Sequence, residues 1–245
     1  MNLAVFDLDH TLLPFDCEWV WINYVASHEG IDPKKAFAPL KPMYEDYYTR
    51  HHLDAEAFSR FQLSFISQFP RTRLDCLLSD FVRETVEPAI SEAARDLVSS
   101  YIERGDATAI CSGSYSYIVV PIARIFGIPE ILCGEPETDA AGNFTGRLVG
   151  INSFGANKVV FVQNYLKSHP HIQSVSFFSD SLNDKPLFDY TESLGGQCYA
   201  VNAGEDLTAT AKSRHWKELT LYTQEERGMT VSIADVLGID AVIIK

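Results

Sequence analysis

Four short apolar runs constrain the fold of this chain more than any other feature of its sequence. The runs occupy residues 3–8, 107–111, 174–178 and 198–202. Runs this short and this apolar are typical of strands buried on both faces of a sheet. Helical spacing of apolar residues lies between them, at 91–104, 118–126 and 158–166. Strands that alternate with helices predict a doubly wound α/β fold with a mostly parallel sheet.

Two segments depart from this alternation. Residues 15–80 contain many aromatic side chains and no convincing strand, which predicts a helical subdomain inserted after the first strand. The main α/β domain would then comprise residues 1–14 and 81–245. Asp139, Gly142 and Asn143 lie between short polar and apolar stretches at 136–150, which predicts a small β-hairpin.

The composition excludes several classes of protein. The net charge of −13 and the absence of a Lys/Arg-rich run argue against nucleic-acid binding. No apolar stretch is long enough for a membrane-spanning helix, and the N-terminus does not resemble a signal peptide, so we expect a cytoplasmic protein. Five scattered cysteines without a CxxC pair argue against structural zinc and disulfides, and we expect buried thiols. Nothing in the sequence indicates the oligomeric state.

Two carboxylates follow the first apolar run, in Asp7-Leu8-Asp9-His10-Thr11. A turn after the strand lets both carboxylates flank one electrophile. Asp7 is then the candidate nucleophile, and Asp9 is the candidate general acid and later the general base. The alternative is an Asx-turn or a helix cap without a catalytic role.

Two further motifs indicate an anion site. Ser112 and Gly113 follow the second run, where a hydroxyl and main-chain N–H groups can hold phosphoryl oxygens, although Ser-Gly is also an ordinary turn. Lys158 lies in the first turn of a predicted helix, where its charge opposes the helix dipole. A phosphate or Asp7 would compensate that charge, although a solvated surface lysine has the same pattern.

More acids follow the third run, in Ser179-Asp180-Ser181-Leu182-Asn183-Asp184. The carboxyl edge of an open parallel sheet is where ligands bind, so Asp180 and Asp184 are expected near Asp7. A cluster of carboxylate oxygens suits octahedral Mg²⁺ better than Zn²⁺. Together the motifs supply a nucleophile, an acid, a hydroxyl, a lysine and metal ligands, which is a complete site for phosphoryl transfer.

The order DLDHT, SGS, GANK and SDSLND resembles the haloacid dehalogenase superfamily, particularly its phosphoserine-phosphatase-like subfamily with a helical cap. The resemblance covers residues 7 to about 201. It implies a Rossmann-like core and a cap at 15–80 that closes over the substrate. It also implies an aspartyl-phosphate at Asp7, with Mg²⁺ held by the side chains of Asp7 and Asp180 and by the main-chain carbonyl of Asp9.

The same resemblance implies roles for neighbouring residues. Thr11 would also support the geometry of the loop, and Asp184 would orient either the metal shell or Lys158. The residues implied to lie around the phosphate are Thr11, Ser112, Gly113, Lys158 and Asn183. The sequence departs from the family at Ser179, where glycine is usual, and at His10, where a small residue is common.

Asp16 stands where phosphoserine phosphatases have an acid that binds the substrate amine. The resemblance therefore implies phosphoserine, histidinol phosphate or phosphoethanolamine as substrate candidates, although Asp16 is equally suited to cap a helix. Arg50 and Arg60 are candidates for a substrate carboxylate, with surface exposure as the alternative for each. The predicted function is Mg²⁺-dependent hydrolysis of a small phosphomonoester. Phosphotransfer to an alcohol and non-catalytic binding of a phosphorylated ligand remain alternatives.

Overall fold

The structure is a computed structural model that describes residues 1–50 and 54–228, with the main chain alone for 47–50. Its strands are β1 (Asn2–Phe6), β2 (Ala107–Ile110), β3 (Glu130–Ile131), β4 (Glu135–Thr138), β5 (Phe144–Val149), β6 (Ser174–Ser179), β7 (Gln197–Val201) and β8 (Lys217–Leu219). Six of them form a parallel sheet in the order β3-β2-β1-β6-β7-β8. The predicted parallel sheet is confirmed, and the short edge strands β3 and β8 add to it.

Side chains on the central strand β1 show why the strand sequence is apolar throughout. Ala4 and Phe6 belong to one hydrophobic cluster, and Leu3 and Val5 belong to another. All four are completely buried. Successive side chains of a strand point to opposite faces, so both faces of the sheet are covered.

Helices cover the sheet and fill the connection between β1 and β2. They are α1 (Cys17–His28), α2 (Pro33–Ala36), α3 (Lys41–Arg50), α4 (Ala55–Ile66), α5 (Arg71–Phe81), α6 (Glu87–Ala89), α7 (Glu92–Glu103), α8 (Ser116–Phe126), α9 (Asn157–Ser168), α10 (Lys185–Ser193), α11 (Glu205–Arg214) and α12 (Gln224–Arg227). Short 3₁₀ turns occupy Ala38–Leu40 and Leu182–Asp184. The alternation of strands and helices makes the fold doubly wound.

Aromatic side chains form the interior of the helical segment between β1 and β2. The Phe37 ring lies 5.1 Å from Trp19 and 5.4 Å from Phe65, measured between centroids. Tyr47 and Tyr48, part of the same aromatic set, lie outside the described side chains. Helix α5 continues past residue 80 and leads through the π-helical turn Val82–Val86 into α6. A domain boundary at 80/81 therefore stays a prediction.

The hairpin expected at 136–150 is formed by β4 and β5, which pair antiparallel. The Asp139 carboxylate accepts hydrogen bonds from the N–H groups of Ala141 and Asn143, both at 2.9 Å. Gly142 has φ 84°, a left-handed conformation that glycine adopts easily. The Asn143 side chain accepts the N–H of Arg71 at 3.0 Å, which ties the hairpin to the start of α5.

The cysteines are free thiols, four of them buried: Cys17, Cys111, Cys133 and Cys198. Cys76 is exposed, so the expectation of a buried thiol is wrong there. The reason is that α5 buries Leu74, Leu77, Leu78 and Phe81, and position 76 lies off that face. None of the helices in the described part of the chain is long and apolar enough to span a membrane. The cytoplasmic location stays a prediction.

Candidate active site

The carboxyl ends of β1, β2 and β6 meet at one edge of the sheet. Asp7 follows β1, Ser112 lies two residues after β2, and Asp180 follows β6. Phe6 pairs in parallel register with Phe178, and the N–H of Asp7 donates to the Phe178 carbonyl at 2.9 Å. Polar residues that are far apart in sequence are thereby brought together at the edge where ligands of such sheets bind.

Lys158 joins two buried carboxylates. Its Nζ donates to Asp7 Oδ1 and to Asp184 Oδ2, both at 2.7 Å, and the lysine is 3% exposed. Burial opposes the charge and lowers the pKa of Lys158, but the carboxylates of Asp184 and Asp7 outweigh burial and hold the pKa above its usual value. The charge that opposes the dipole of α9 is therefore compensated by Asp7 and Asp184.

The Thr11 hydroxyl lies between two acids on neighbouring strands. Its Oγ1 is 3.4 Å from Asp7 Oδ2 and 3.2 Å from Asp180 Oδ1. The same oxygen accepts the N–H of Asp180 at 3.0 Å. Thr11 is completely buried, so this contact fixes the spacing between the end of β1 and the end of β6.

Asp9 has a different set of partners. Its Oδ2 accepts the Ser114 hydroxyl at 2.7 Å and the Ser112 hydroxyl at 3.3 Å. Its Oδ1 accepts the N–H of Cys17, the first residue of α1, at 2.7 Å. The main chain is irregular at this point, with ψ 130° at Asp9 and φ 56° directly after it at His10. Two acids that are two residues apart therefore lie in separate surroundings.

The site holds more negative than positive charge. Burial raises the pKa of Asp7 well above its usual value, and Asp184, Asp180 and Asp9 raise it further against the opposing charge of Lys158. Burial also raises the pKa of Asp180. A divalent cation would relieve this excess, because a bound ion is the largest local charge in such a site.

The oxygen atoms at this edge fit Mg²⁺. The carboxylates of Asp7 and Asp180 lie within 3.4 Å of one hydroxyl oxygen, on Thr11. No group of three or more His, Cys, Asp or Glu side chains in the described part of the chain could hold a metal ion. An ion here would rest on two carboxylates with main-chain and water oxygens, and Mg²⁺ characteristically keeps several waters when it binds.

Gly113 and Asn183 lie on the loops that surround these groups. A Cβ at Gly113 would come within 3.3 Å of the Phe154 ring, so glycine allows close packing there. Asn183 lies in the turn Leu182–Asp184, and its N–H donates to the Ser181 hydroxyl at 3.1 Å. Both residues are near the edge of the sheet, on the loops that follow β2 and β6.

Asp16 caps helix α1. Its Oδ1 accepts the N–H of Trp19 at 2.8 Å, which is the contact of a helix N-cap. Burial, together with the nearby charge of Asp9, raises the pKa of Asp16 to about 6. Capping therefore accounts for one oxygen of Asp16, and the carboxylate lies near the charge of Asp9.

Arg60 pairs with Glu56 at 2.5 Å on α4. Both border a cavity of about 370 Å³ between α4 and β5, which Asn157 also lines. Asn157 is the first residue of α9 and precedes Lys158. The cavity therefore reaches the start of α9. The side chain of Arg50, the other arginine candidate, lies outside the described residues.

Two serines contact candidate groups although the sequence did not single them out. Ser114 Oγ donates to Asp9, and Ser179 Oγ donates to Asp184 Oδ2 at 2.7 Å. Both serines belong to motifs noted in the sequence. A hydroxyl residue shortly after an apolar run was the signal that could have identified them. Spacing alone could not tell which hydroxyl of Ser112 and Ser114 lies nearer to Asp9.

Comparisons with known proteins show which sequences and folds this chain is similar to. Residues 4–189 match the model of haloacid dehalogenase-like hydrolases. A histidinol-phosphatase from Neisseria meningitidis serogroup C (strain 8013) is 32% identical over 222 residues, which cover 89% of this chain and 98% of that protein. A solved structure of a protein of unknown function from Bordetella pertussis Tohama I has a TM-score of 0.81 and is 31% identical in sequence. The match covers 90% of this chain and 99% of that chain.

A structure described as a phospho-aspartyl intermediate analogue of phosphoserine phosphatase has a TM-score of 0.62. It is 18% identical, with 90% of this chain and 93% of that chain covered. At that identity the likeness concerns the fold alone.

Proposed function

Because this chain belongs to the haloacid dehalogenase-like hydrolase family, we propose that it hydrolyses a small phosphomonoester through a phosphate carried on Asp7, with Mg²⁺ as cofactor. Its enzyme class is that of a phosphoric monoester hydrolase. The observation that carries the proposal is the separation of two neighbouring acids. Asp7 contacts Lys158 at 2.7 Å, whereas Asp9 contacts Ser114 at 2.7 Å.

In the first step, a carboxylate oxygen of Asp7 attacks phosphorus, and the bond from phosphorus to the leaving oxygen breaks. Asp9 gives its proton to that leaving oxygen, so the alcohol departs neutral. Lys158 contacts Asp7 directly, so its ammonium is placed to balance charge on the phosphoryl oxygens. The product of this step is the alcohol and a phosphorylated Asp7.

In the second step, water attacks the phosphorus on Asp7 while Asp9 takes one proton from that water. The bond between phosphorus and the Asp7 oxygen then breaks. Inorganic phosphate leaves, and both carboxyl groups return to their starting states. One water is consumed for each ester hydrolysed.

The residues that would hold Mg²⁺ are Asp7, Asp180 and the main-chain carbonyl of Asp9, and the ion would supply positive charge at the phosphoryl oxygens. The Ser112 hydroxyl and the loop at Gly113 are proposed to hold the phosphate. Thr11 and Asn183 complete its surroundings, and Asp184 orients Lys158 through the contact at 2.7 Å.

We assign residues 15–80 to a cap and residues 1–14 and 81–245 to the catalytic core. The hydrogen bond from the N–H of Cys17 to Asp9 supports this, because the first residue of α1 then contacts the proposed acid. A cap in that position covers the leaving group and excludes bulk water during the first step.

The proposed substrate is a phosphate ester of an amino alcohol, with histidinol phosphate first and phosphoserine second. The Neisseria relative, named a histidinol-phosphatase, matches over 98% of its own length. Acidic groups near Asp9 give independent support. Glu18 is 5% exposed, and burial with the charges of Asp16 and Asp9 raises its pKa well above the usual value. A cation bound beside these acids would lower their pKa values and stabilise their ionised forms, so the cluster favours a cationic leaving group.

The test is release of inorganic phosphate from histidinol phosphate, phosphoserine and p-nitrophenyl phosphate, with and without Mg²⁺. We expect Asp7→Asn to lose at least 1,000-fold in kcat, roughly the loss found when a nucleophile is removed. Asp96→Asn is the matched control, because Asp96 is exposed on α7. Equal rates for wild type and Asp7→Asn would refute Asp7 as nucleophile.

A further inference from the structure

Asn202 connects the end of β7 to the loop that follows β1. Its side-chain Nδ2 donates to the main-chain carbonyls of His10 at 2.8 Å and Thr11 at 3.3 Å. Its Oδ1 accepts the N–H groups of Leu221 at 2.8 Å and Tyr222 at 3.1 Å. One side chain therefore joins three segments that are distant in sequence.

These partners fix the orientation of the Asn202 amide. Carbonyl oxygens can only accept and N–H groups can only donate, so the two ends of the amide cannot be exchanged. The side chain has two N–H hydrogens and two oxygen lone pairs, and the four contacts use all of them. Asn202 is 5% exposed, so water cannot replace a lost contact without cost.

Both residues joined by the 2.8 Å contact have unusual main-chain conformations. Asn202 has φ 47° and His10 has φ 56°, in the left-handed region. Residues other than glycine rarely adopt this region, and such strain persists where surrounding contacts hold it in place. The Asn202 amide is such a contact for the His10 turn.

The loop held in this way carries the chemistry. Asp9 precedes His10, and the hydroxyl of Thr11 contacts both Asp7 and Asp180. Tyr222 adds a second restraint on the same loop, since its hydroxyl donates to the Leu12 carbonyl at 2.6 Å. Movement of the carbonyls at 10 and 11 would therefore displace Asp9 and the Thr11 hydroxyl that contacts Asp7 and Asp180.

We propose that Asn202 is a positioning residue for the phosphatase reaction, holding the turn at residues 10 and 11 so that Asp7 and Asp9 keep their separate positions. The inference rests on the proposed function. Asn202 touches neither substrate nor the reacting atoms, and it acts through the main chain. Misplacement of catalytic groups by about 1 Å costs roughly 100-fold in rate.

The test compares Asn202→Asp with Asn202→Gly. The aspartate keeps the acceptor for Leu221 and Tyr222 and tolerates a left-handed main chain, but it loses both donors to the loop. The glycine keeps the conformation and loses every side-chain contact. Thr223→Ala is the control, because Thr223 caps α12 next to Tyr222 and is exposed. Phosphate release and thermal melting are measured for each variant, with kcat determined well below its melting temperature.

We expect Asn202→Asp to lower kcat roughly 100-fold with KM within about threefold of wild type, and Asn202→Gly to do the same. Thr223→Ala should keep wild-type kcat. A role in stability alone would lower the melting temperature and leave kcat intact, and that result overturns the inference. Wild-type kcat in the glycine variant would also overturn it. A wild-type protein that releases no phosphate from any ester would instead overturn the proposed function.

Discussion

Replacement of Lys158 by glutamine is the most direct test of the charge arrangement in the site. In the wild type, one buried ammonium contacts Asp7 and Asp184 at 2.7 Å each. Glutamine keeps a hydrogen-bond donor, on a side chain one atom shorter, but removes the charge. Two buried carboxylates then face each other across a neutral side chain.

The structure allows the size of the effect to be estimated. Loss of one partner from a buried ion pair costs about 3–5 kcal/mol of stability, and protonation of Asp7 or Asp184 limits that cost here. Loss of a group that stabilises charge in the transition state costs about 100- to 1,000-fold in kcat. We therefore expect a folded variant whose kcat is lower by at least about 100-fold.

The pH dependence gives a second and independent readout. The charge of Lys158 lowers the pKa of Asp7, opposing burial and the neighbouring acids. Removal of that charge therefore raises the pKa of Asp7 further. Because the proposed attack on phosphorus needs an ionised Asp7, the acid limb of the kcat/KM profile should move to higher pH.

The assay measures kcat, KM and their pH profiles for Lys158→Gln and for the control Lys167→Gln. Lys167 is exposed on the same helix, α9, so it reports the effect of losing a surface charge. An unchanged rate in Lys158→Gln would remove Lys158 from the site. A slower variant with an unshifted acid limb would refute the electrostatic link to Asp7.

Two further predictions concern stability. Gly196→Ala should cost about 3 kcal/mol or more in urea unfolding, because its Cβ would lie 2.4 and 2.9 Å from two carbonyl oxygens. Gly204→Ala, with no atom within 4 Å, should cost at most about 1 kcal/mol, the loss from alanine at the N-cap of α11, and equal losses would contradict the steric argument. Burial raises the pKa of Asp16 from 3.8 to about 6, so its stabilising contribution is complete below 3.8 and is lost as pH rises through about 6. Between about pH 4 and 7, Asp16→Asn should therefore lose less stability than the wild type, and the difference between the two losses should be at most about 3 kcal/mol. Identical curves of unfolding free energy against pH would contradict this.

The sequence predicted the parts of the fold that depend on local pattern. The apolar run of β1 was recognisable because the strand is buried on both faces, and the acids Asp7 and Asp180 follow strands that are neighbours in the sheet. Convergence at one edge follows from parallel pairing, which the alternation with helices predicted. The edge strands β3 and β8 span two and three residues, too few for a pattern to be seen.

Contacts that depend on tertiary position could not be predicted. Asn202 follows an apolar strand and has no motif around it, and its partners at residues 10, 11, 221 and 222 are set by the packing of three segments. Ser114 is two residues from Ser112, and only the turn of that loop decides which hydroxyl lies 2.7 Å from Asp9. Propensity and spacing contain no information on such distances.

The turn at His10 shows why this position accepts a histidine, one of the two residues at which the sequence departs from the expected family pattern. The requirement at this position lies in the main chain, which has φ 56°, so the residue here must tolerate the left-handed region. Among residues other than glycine, histidine is enriched in this left-handed region together with Asn and Asp. The Asn202 amide binds the His10 carbonyl and not its imidazole, so this contact depends on the turn and not on the side chain. The contacts that hold this loop therefore belong to the proposed function as much as the proposed nucleophile and acid do.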